Sequence, residues 1–327
     1  MTGEVKASVH IDDMFSSFLL GSVKYVDDDH IYLIGSSGTV YRYTISKDKL
    51  DSLEILDDSI SSECYYSENR EYILVYGIRE YGVIKTSDMK VVDKGTISDD
   101  FSEPYMDGAI LTPDGAMIYY IDSEKKLHSF DISSGKNELL LKDYHCNSLS
   151  ISEDGQKLAV ATSDGKLRLF AQSNFKQVDE LEFYSSKIGL NSNLIKFSPD
   201  SNLLVIQGED LYVKIYDLEK KEVVFTAPYQ VNEITSLTFD NESNRLALSS
   251  GLGMFVIDLN TYGLLAYINN AQMYIPHHQI IISRGNYGYS DVYAFKFKEL
   301  DELIAIAKEK YGDCELTDAQ KAKYGVQ

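Results

Sequence analysis

The stretch that decides the fold is Ser148-Leu149-Ser150-Ile151-Ser152-Glu153-Asp154-Gly155-Gln156-Lys157-Leu158-Ala159-Val160-Ala161-Thr162-Ser163-Asp164-Gly165-Lys166-Leu167-Arg168-Leu169-Phe170-Ala171. It reads as strand, tight turn, strand, turn, strand. Ser152-Glu153-Asp154-Gly155 has turn chemistry, because Asp-Gly tolerates the left-handed region and so joins antiparallel strands. Ser148 to Ile151 alternates, whereas Leu158 to Val160 is continuously apolar, the pattern of strands inside stacked sheets.

The pattern recurs outward in both directions, and a fixed period of this size marks a repeat architecture. The clearest copies are Ala109 to Leu141, Ser148 to Leu181, Asn193 to Phe225 and Ile234 to Tyr267. Their first turns are Thr112-Pro113-Asp114-Gly115, Ser152-Glu153-Asp154-Gly155, Ser198-Pro199-Asp200-Ser201 and Asp240-Asn241-Glu242-Ser243. From Asp114 to Asp154, Asp200 and Glu242 the intervals are 40, 46 and 42 residues. The third strands end at Phe130-Asp131, Phe170-Ala171, Tyr216-Asp217 and Ile257-Asp258, at intervals of 40, 46 and 41. Two landmarks thus keep one register.

Weaker copies run from Val23 to Leu56, with a Ser36-Ser37-Gly38 turn, and from Cys64 to Gly95, with Gly82 to Thr86 as third strand. After Tyr267 only three strand candidates remain: Ala271 to Ile275, Gln279 to Ser283 and Asp291 to Phe297. A radial array of four-stranded sheets closes by completing its last sheet from the opposite terminus, and Glu4 to Ile11 is available for that. This predicts an all-β chain of seven blades over residues 1–297; six blades satisfy the pattern if one degenerate copy is irregular.

Beyond Phe297 the periodicity changes. Leu300, Leu303, Ile304, Ala307 and Tyr311 share one helical face, and Thr317-Asp318-Ala319-Gln320 matches a capping box, so residues 298–327 read as a short helical tail.

The quoted residues resemble the WD-repeat β-propeller family over roughly Val23 to Phe297. The family's Trp-Asp dipeptide survives as Phe-Asp, Tyr-Asp and Ile-Asp, and its Gly-His dipeptide is absent. Loss of that His removes a hydrogen-bond network such blades often carry, which shifts the expected burden to packing. The tail resembles the one that follows the propeller in bacterial signal-transduction ATPases with numerous domains and in related effector fusions. That resemblance implies a ligand-sensing module separated from its effector.

Composition bounds the function. With 31 Lys and Arg against 51 Asp and Glu, the chain carries a net charge of −20. Such a field repels phosphates and anionic lipid, so neither nucleic acid nor membrane is an expected partner. No window approaches the ~18 apolar residues of a membrane span, and Phe18 to Val23 lacks the basic flank of a signal peptide, which reads as cytoplasmic. Cys64, Cys146 and Cys314 have no metal-ligand spacing and read as reduced thiols. Gly135-Lys136-Asn137 is no phosphate loop, and Gly35-Ser36-Ser37-Gly38 is no nucleophile elbow. His277 and His278 are adjacent, and neighbours in a strand would point to opposite faces, which does not suit a shared metal. Asp27-Asp28-Asp29 lacks the spacing of a calcium loop and reads as a solvated turn. No cofactor or metal is expected.

What remains is binding. A Tyr precedes the first strand of successive blades at Tyr105, Tyr144, Tyr184 and Tyr229, at intervals of 39, 40 and 45. Tyr is a rigid amphipathic anchor enriched at binding hot spots. The same rings could instead pack between blades. Arg79 and Tyr81 in the second blade, with Arg284, Tyr287 and Tyr289 in the last, fall in predicted loops between second and third strands. The expected function is protein or peptide binding by a monomer, as sensor or scaffold. The rival is a lactonase- or hydrolase-like propeller enzyme working at the central channel.

Overall fold

The computed structural model describes residues 24–25, 29–34, 38–56, 63–97, 106–182, 195–207, 210–228, 230–231, 234–240, 244–250, 253–269, 271–275, 279–284 and 292–296, together with Ala305 and Glu309, which are helical. Among these residues the strands form seven antiparallel sheets, each built from consecutive strands. Sheet one holds Lys24–Tyr25 (β1), His30–Ile34 (β2), Thr39–Thr44 (β3) and Lys49–Glu54 (β4). Sheet two holds Glu63–Tyr66 (β5), Tyr72–Tyr76 (β6), Glu80–Lys85 (β7) and Lys90–Thr96 (β8). Sheet three holds Met106–Leu111 (β9), Met117–Asp122 (β10), Leu127–Asp131 (β11) and Lys136–Leu141 (β12). Sheet four, the opening stretch, holds Cys146–Ile151 (β13), Lys157–Thr162 (β14), Lys166–Ala171 (β15) and Lys176–Glu182 (β16). Sheet five holds Ile195–Phe197 (β17), Leu203–Gln207 (β18), Val213–Asp217 (β19) and Glu222–Thr226 (β20). Sheet six holds Ile234–Asp240 (β21), Arg245–Ser250 (β22), Gly253–Asp258 (β23) and Gly263–Asn269 (β24), and sheet seven holds Ala271–Ile275 (β25), Ile280–Arg284 (β26) and Val292–Lys296 (β27). The expected closing strand, Glu4 to Ile11, lies outside the described residues, as does the tail apart from Ala305 and Glu309.

The apolar second strands explain themselves once the sheets are stacked, because successive side chains leave a strand on opposite faces. In β14, Leu158 and Val160 pack toward sheet three while Ala159 and Ala161 pack toward sheet five. In β10, Ile118 and Tyr120 join sheet two, and Tyr119 and Ile121 join sheet four. The same division holds in β6, β18 and β22, so six apolar clusters link the seven sheets in chain order.

The first hairpins are locked by a repeated side-chain device. Thr112 Oγ1 donates to Asp114 at 2.5 Å and accepts the Met117 amide at 3.0 Å. Ser152 with Asp154 and Lys157 does the same at 2.5 and 2.9 Å, and Ser198 with Asp200 and Leu203 at 2.5 and 2.9 Å. In sheet two Ser67 with Asn69 and Tyr72 takes that place. The Asp that ends the third strand of sheets three, five and six caps the following turn: Asp131 accepts the Ser134 amide at 2.9 Å, Asp217 the Lys220 amide at 2.9 Å and Asp258 the Asn260 amide at 2.8 Å. Adjacent sheets are also clipped by backbone. The turn between second and third strands accepts the amide at the entry to the next sheet, as Ile78 from Met106 at 2.9 Å, Lys125 from Cys146 at 2.7 Å and Leu211 from Val231 at 2.8 Å. Asp29, read as a solvated turn residue, accepts both the amide and the hydroxyl of Ser46 at 2.6 and 2.7 Å.

One ion pair joins sheets that are not neighbours. Lys196, on inner strand β17 of sheet five, reaches Glu68, in the first hairpin of sheet two, with Nζ to oxygen distances of 2.7 and 2.6 Å. Tyr65 Oη donates to the same carboxylate at 2.5 Å. These three residues cross the mouth of the channel on the first-hairpin face. Glu153, beside them, has its carboxyl pushed up, first by burial and then by the Glu68 charge, against the opposing pull of Arg70 and Lys196.

Two outcomes follow. At Gly82 an added Cβ would lie 2.1 Å from Ile55 Cγ2, so Gly82→Ala should cost about 1–3 kcal/mol in chemical denaturation. Ile55→Ala should rescue part of that cost, and strict additivity of the two would refute the contact. The second outcome concerns Glu153. A carboxyl raised by folding favours the folded state only while protonated, and its ionisation opposes folding as pH climbs past the ordinary carboxylate value. Glu153→Gln should therefore raise the thermal midpoint at about pH 7 and leave it unchanged at about pH 3; a gain of equal size at both pH values would exclude this origin.

Candidate protein interaction face

The loops that join second to third strands lie on the same side as those that lead from one sheet to the next. Tyr144, in the connection between β12 and β13, is half-buried, and its ring lies over the guanidinium of Arg168 with 3.8 Å from Cζ to the ring centroid. Arg168 sits mid-strand in β15 with its side chain only 3% exposed, on the side that faces sheet three. Burial of an arginine is costly unless every donor is matched. Here Asp164, on the turn between β14 and β15, accepts from Nη1 at 3.0 Å and from Nη2 at 2.6 Å. Thr162 Oγ1 accepts from Nη1 as well and donates to Asp164 at 2.6 Å. Glu180, on the outer strand, stands 3.2 Å from Nε and receives Lys166 on its other oxygen. The Arg168 hydrogen bond holds the Asp164 carboxyl well below the usual carboxylate range, and Lys166 lowers that of Glu180.

The outcome is a ladder of alternating charge, Asp164, Arg168, Glu180 and Lys166, whose four charges cancel and which fixes a platform under Tyr144. A ring seated on a pinned guanidinium gains from the cation–π attraction and gives up little entropy on binding. Sheet three has a parallel arrangement one repeat back. His128 Nε2 lies 2.9 Å from Asp122 Oδ2, and its ring stacks on Tyr120 at 4.8 Å.

The sequence-predicted residues separate as follows. Tyr144 lies on this face. Arg79 is half-buried in the turn between β6 and β7, where its carbonyl accepts the Ile97 amide at 2.9 Å, and the neighbouring Ile78 is 53% exposed. Tyr81 is placed differently from the loop expected for it. It belongs to strand β7, is 4% exposed, packs edge-on to Phe130 at 5.2 Å and donates to Asp93 at 2.6 Å. Its ring fills the space between sheets two and three and is not presented to a partner. Arg284 is the last residue of β26, and Tyr105, Tyr184, Tyr229, Tyr287 and Tyr289 lie outside the described residues. Ile78 and Arg168 were missed from sequence. Arg168 reads in the sequence as the polar member of a partly alternating strand.

On the opposite mouth, the ionisable groups Glu68 and Lys196 are bonded to each other and to Tyr65. Among the described residues no group of three or more His, Cys, Asp and Glu is arranged to hold a metal ion.

Comparison with known proteins bears on the fold. The WD40 family, described as "WD domain, G-beta repeat", matches residues 139–170, the last strand of sheet three and the first three of sheet four. Over 135 residues, 41% of the chain, it is 25% identical to pre-mRNA-processing factor 19 of Schizosaccharomyces pombe, and the match spans only 26% of that protein. Among solved structures it superposes on the β-propeller domain of Cps50 (Swd1) from Myceliophteria thermophila with a TM-score of 0.65 and 12% identity, covering 88% of this chain and 100% of that one. Together with the stacked four-stranded sheets, these likenesses support a β-propeller of WD-repeat type.

Proposed function

We propose that this chain is a protein- or peptide-binding propeller, acting as scaffold or sensor in the cytoplasm, and that its partner docks on the face bearing Tyr144, Ile78 and Arg79. The observation that carries this reading is the half-buried Tyr144 on buried Arg168, whose terminal nitrogens are held by Asp164 and Thr162. That arrangement supplies a rigid aromatic anchor ringed by neutralised charge, which suits a desolvated hot spot. A net charge of −20 favours a neutral or basic partner surface and an association that weakens with salt. The role of ligand-sensing module in a bacterial signalling or defence protein rests on the sequence of the tail, Leu300 to Tyr324. The catalytic rival would need a substrate to displace Lys196 from Glu68 at the channel mouth, and the pairing of those two groups favours the binding reading.

Capture from host lysate tests this. The wild-type chain should retain a protein that a folded variant with Tyr105, Tyr144, Tyr184 and Tyr229 changed to Ser loses. Against the purified partner, Tyr144→Ser alone should weaken binding by about thirty-fold, the equivalent of ~2 kcal/mol at a hot spot. Equal capture by both proteins would remove the Tyr-bearing face from the mechanism.

A further inference from the structure

We infer that the outer edge of sheet six, β24, is a docking site for an extended segment of a basic partner protein, which adds to the sheet as a fifth strand. The inference rests on the protein-binding reading above and adds a second surface to it. An outermost strand offers a row of unpaired backbone groups, and proteins guard such edges with charged side chains. β4, β8, β12 and β16 each carry at least two charged residues, and β20 carries Glu222. β24 reads Gly-Leu-Leu-Ala-Tyr-Ile-Asn and carries none. It pairs with β23 on one side, and no strand pairs with its other side among the described residues.

Its side chains suit a partner as well as its backbone does. Leu264, Leu265 and Tyr267 are 38%, 43% and 42% exposed, three of the exposed large apolar residues within four positions. A bulge leaves Leu265 between the pairs Ile257 with Leu264 and Val256 with Ala266. Beyond it, Ala266 to Asn269 keeps unbroken register with Val256 to Gly253, a regular edge to pair against. Tyr267 is braced, its ring 4.8 Å from that of Phe255, while Ala266 and Ile268 anchor the strand against the cluster shared with sheet seven. The occupant is chosen by charge. A second copy would bring a further −20 to the contact, whereas a segment with apolar residues at alternate positions and Lys or Arg at its ends is attracted.

The test uses the full chain and a synthetic peptide that alternates valine and threonine between paired lysines, read by fluorescence anisotropy. Binding should occur, and Leu265→Lys and Tyr267→Lys should each weaken it at least tenfold without changing the circular dichroism. Replacing the lysine flanks by glutamate, or N-methylating alternate backbone amides of the peptide, should do the same. Absence of binding, equal affinity of the variants, or equal affinity of the N-methylated peptide would overturn the proposal. So would a dimer in sedimentation that Tyr267→Lys dissociates, because a second copy would then occupy the edge. Lysate capture through the Tyr144 face should survive Tyr267→Lys. Failure of the peptide with that capture intact removes only this edge, and loss of capture by the Tyr-to-Ser variant alone leaves the broader reading standing.

Discussion

A strand that feeds two cores at once cannot alternate apolar with polar, and the second strand of every four-stranded sheet from two to six carries that burden. In β14 the four residues Leu158 to Ala161 divide two and two between sheets three and five. The smaller pair, Ala159 and Ala161, faces the larger Phe197 and Leu204, and large against small is how close packing is kept between twisted sheets. Tyr119 and Tyr120 in β10 show the other solution, in which both neighbours receive an aromatic ring. Since each second strand is buried on both faces, it has no position for a partner to read. Chemistry is displaced to the turns and the outer strands, and both surfaces argued above lie there.

Each hairpin needs a source of order within its own turn. The structure supplies it locally: a hydroxyl two residues before a carboxylate donates to it and accepts the amide that closes the turn, in sheets three, four and five alike. Such short-range bonds compete with irregular backbone and favour the turn. They do nothing to hold one sheet to the next, which is left to the apolar clusters and to the backbone clips at Ile78, Lys125 and Leu211. Sheets two and five gain a further tie across the axis from Glu68 and Lys196.

Local features were legible in the sequence, and those that depend on distance were not. Thr112-Pro113-Asp114-Gly115 and its cognates announce hairpins because the relevant atoms are within five residues of one another. The Phe-Asp, Tyr-Asp and Ile-Asp pairs mark third-strand ends because the carboxylate caps the very next turn. By contrast Glu68 and Lys196 are 128 residues apart, and no periodicity links a hairpin carboxylate to an inner-strand amine. Tyr81 was placed in a loop because the third strand was read as starting at Gly82, whereas it starts at Glu80. At Gly82, within that strand, Ile55 leaves no room for a Cβ. The Tyr period identified Tyr144, but its footing on Arg168 depends on sheet three and sheet four being side by side.

Charge then separates the two surfaces. Around Tyr144 the signs alternate and cancel, so an approaching partner meets aromatic surface whose surroundings are already paired and need not be desolvated as free ions. At β24 there is nothing to cancel, and the attraction for a basic segment comes from the diffuse field of the whole chain. Both associations are steered by the field of the whole chain and weaken as ionic strength rises, but the first, whose local charges are already paired, loses less than the second. The two faces can therefore hold different partners at once, one by shape and one by backbone pairing under long-range attraction, and that division of labour is what a rigid ring of two-faced strands makes available.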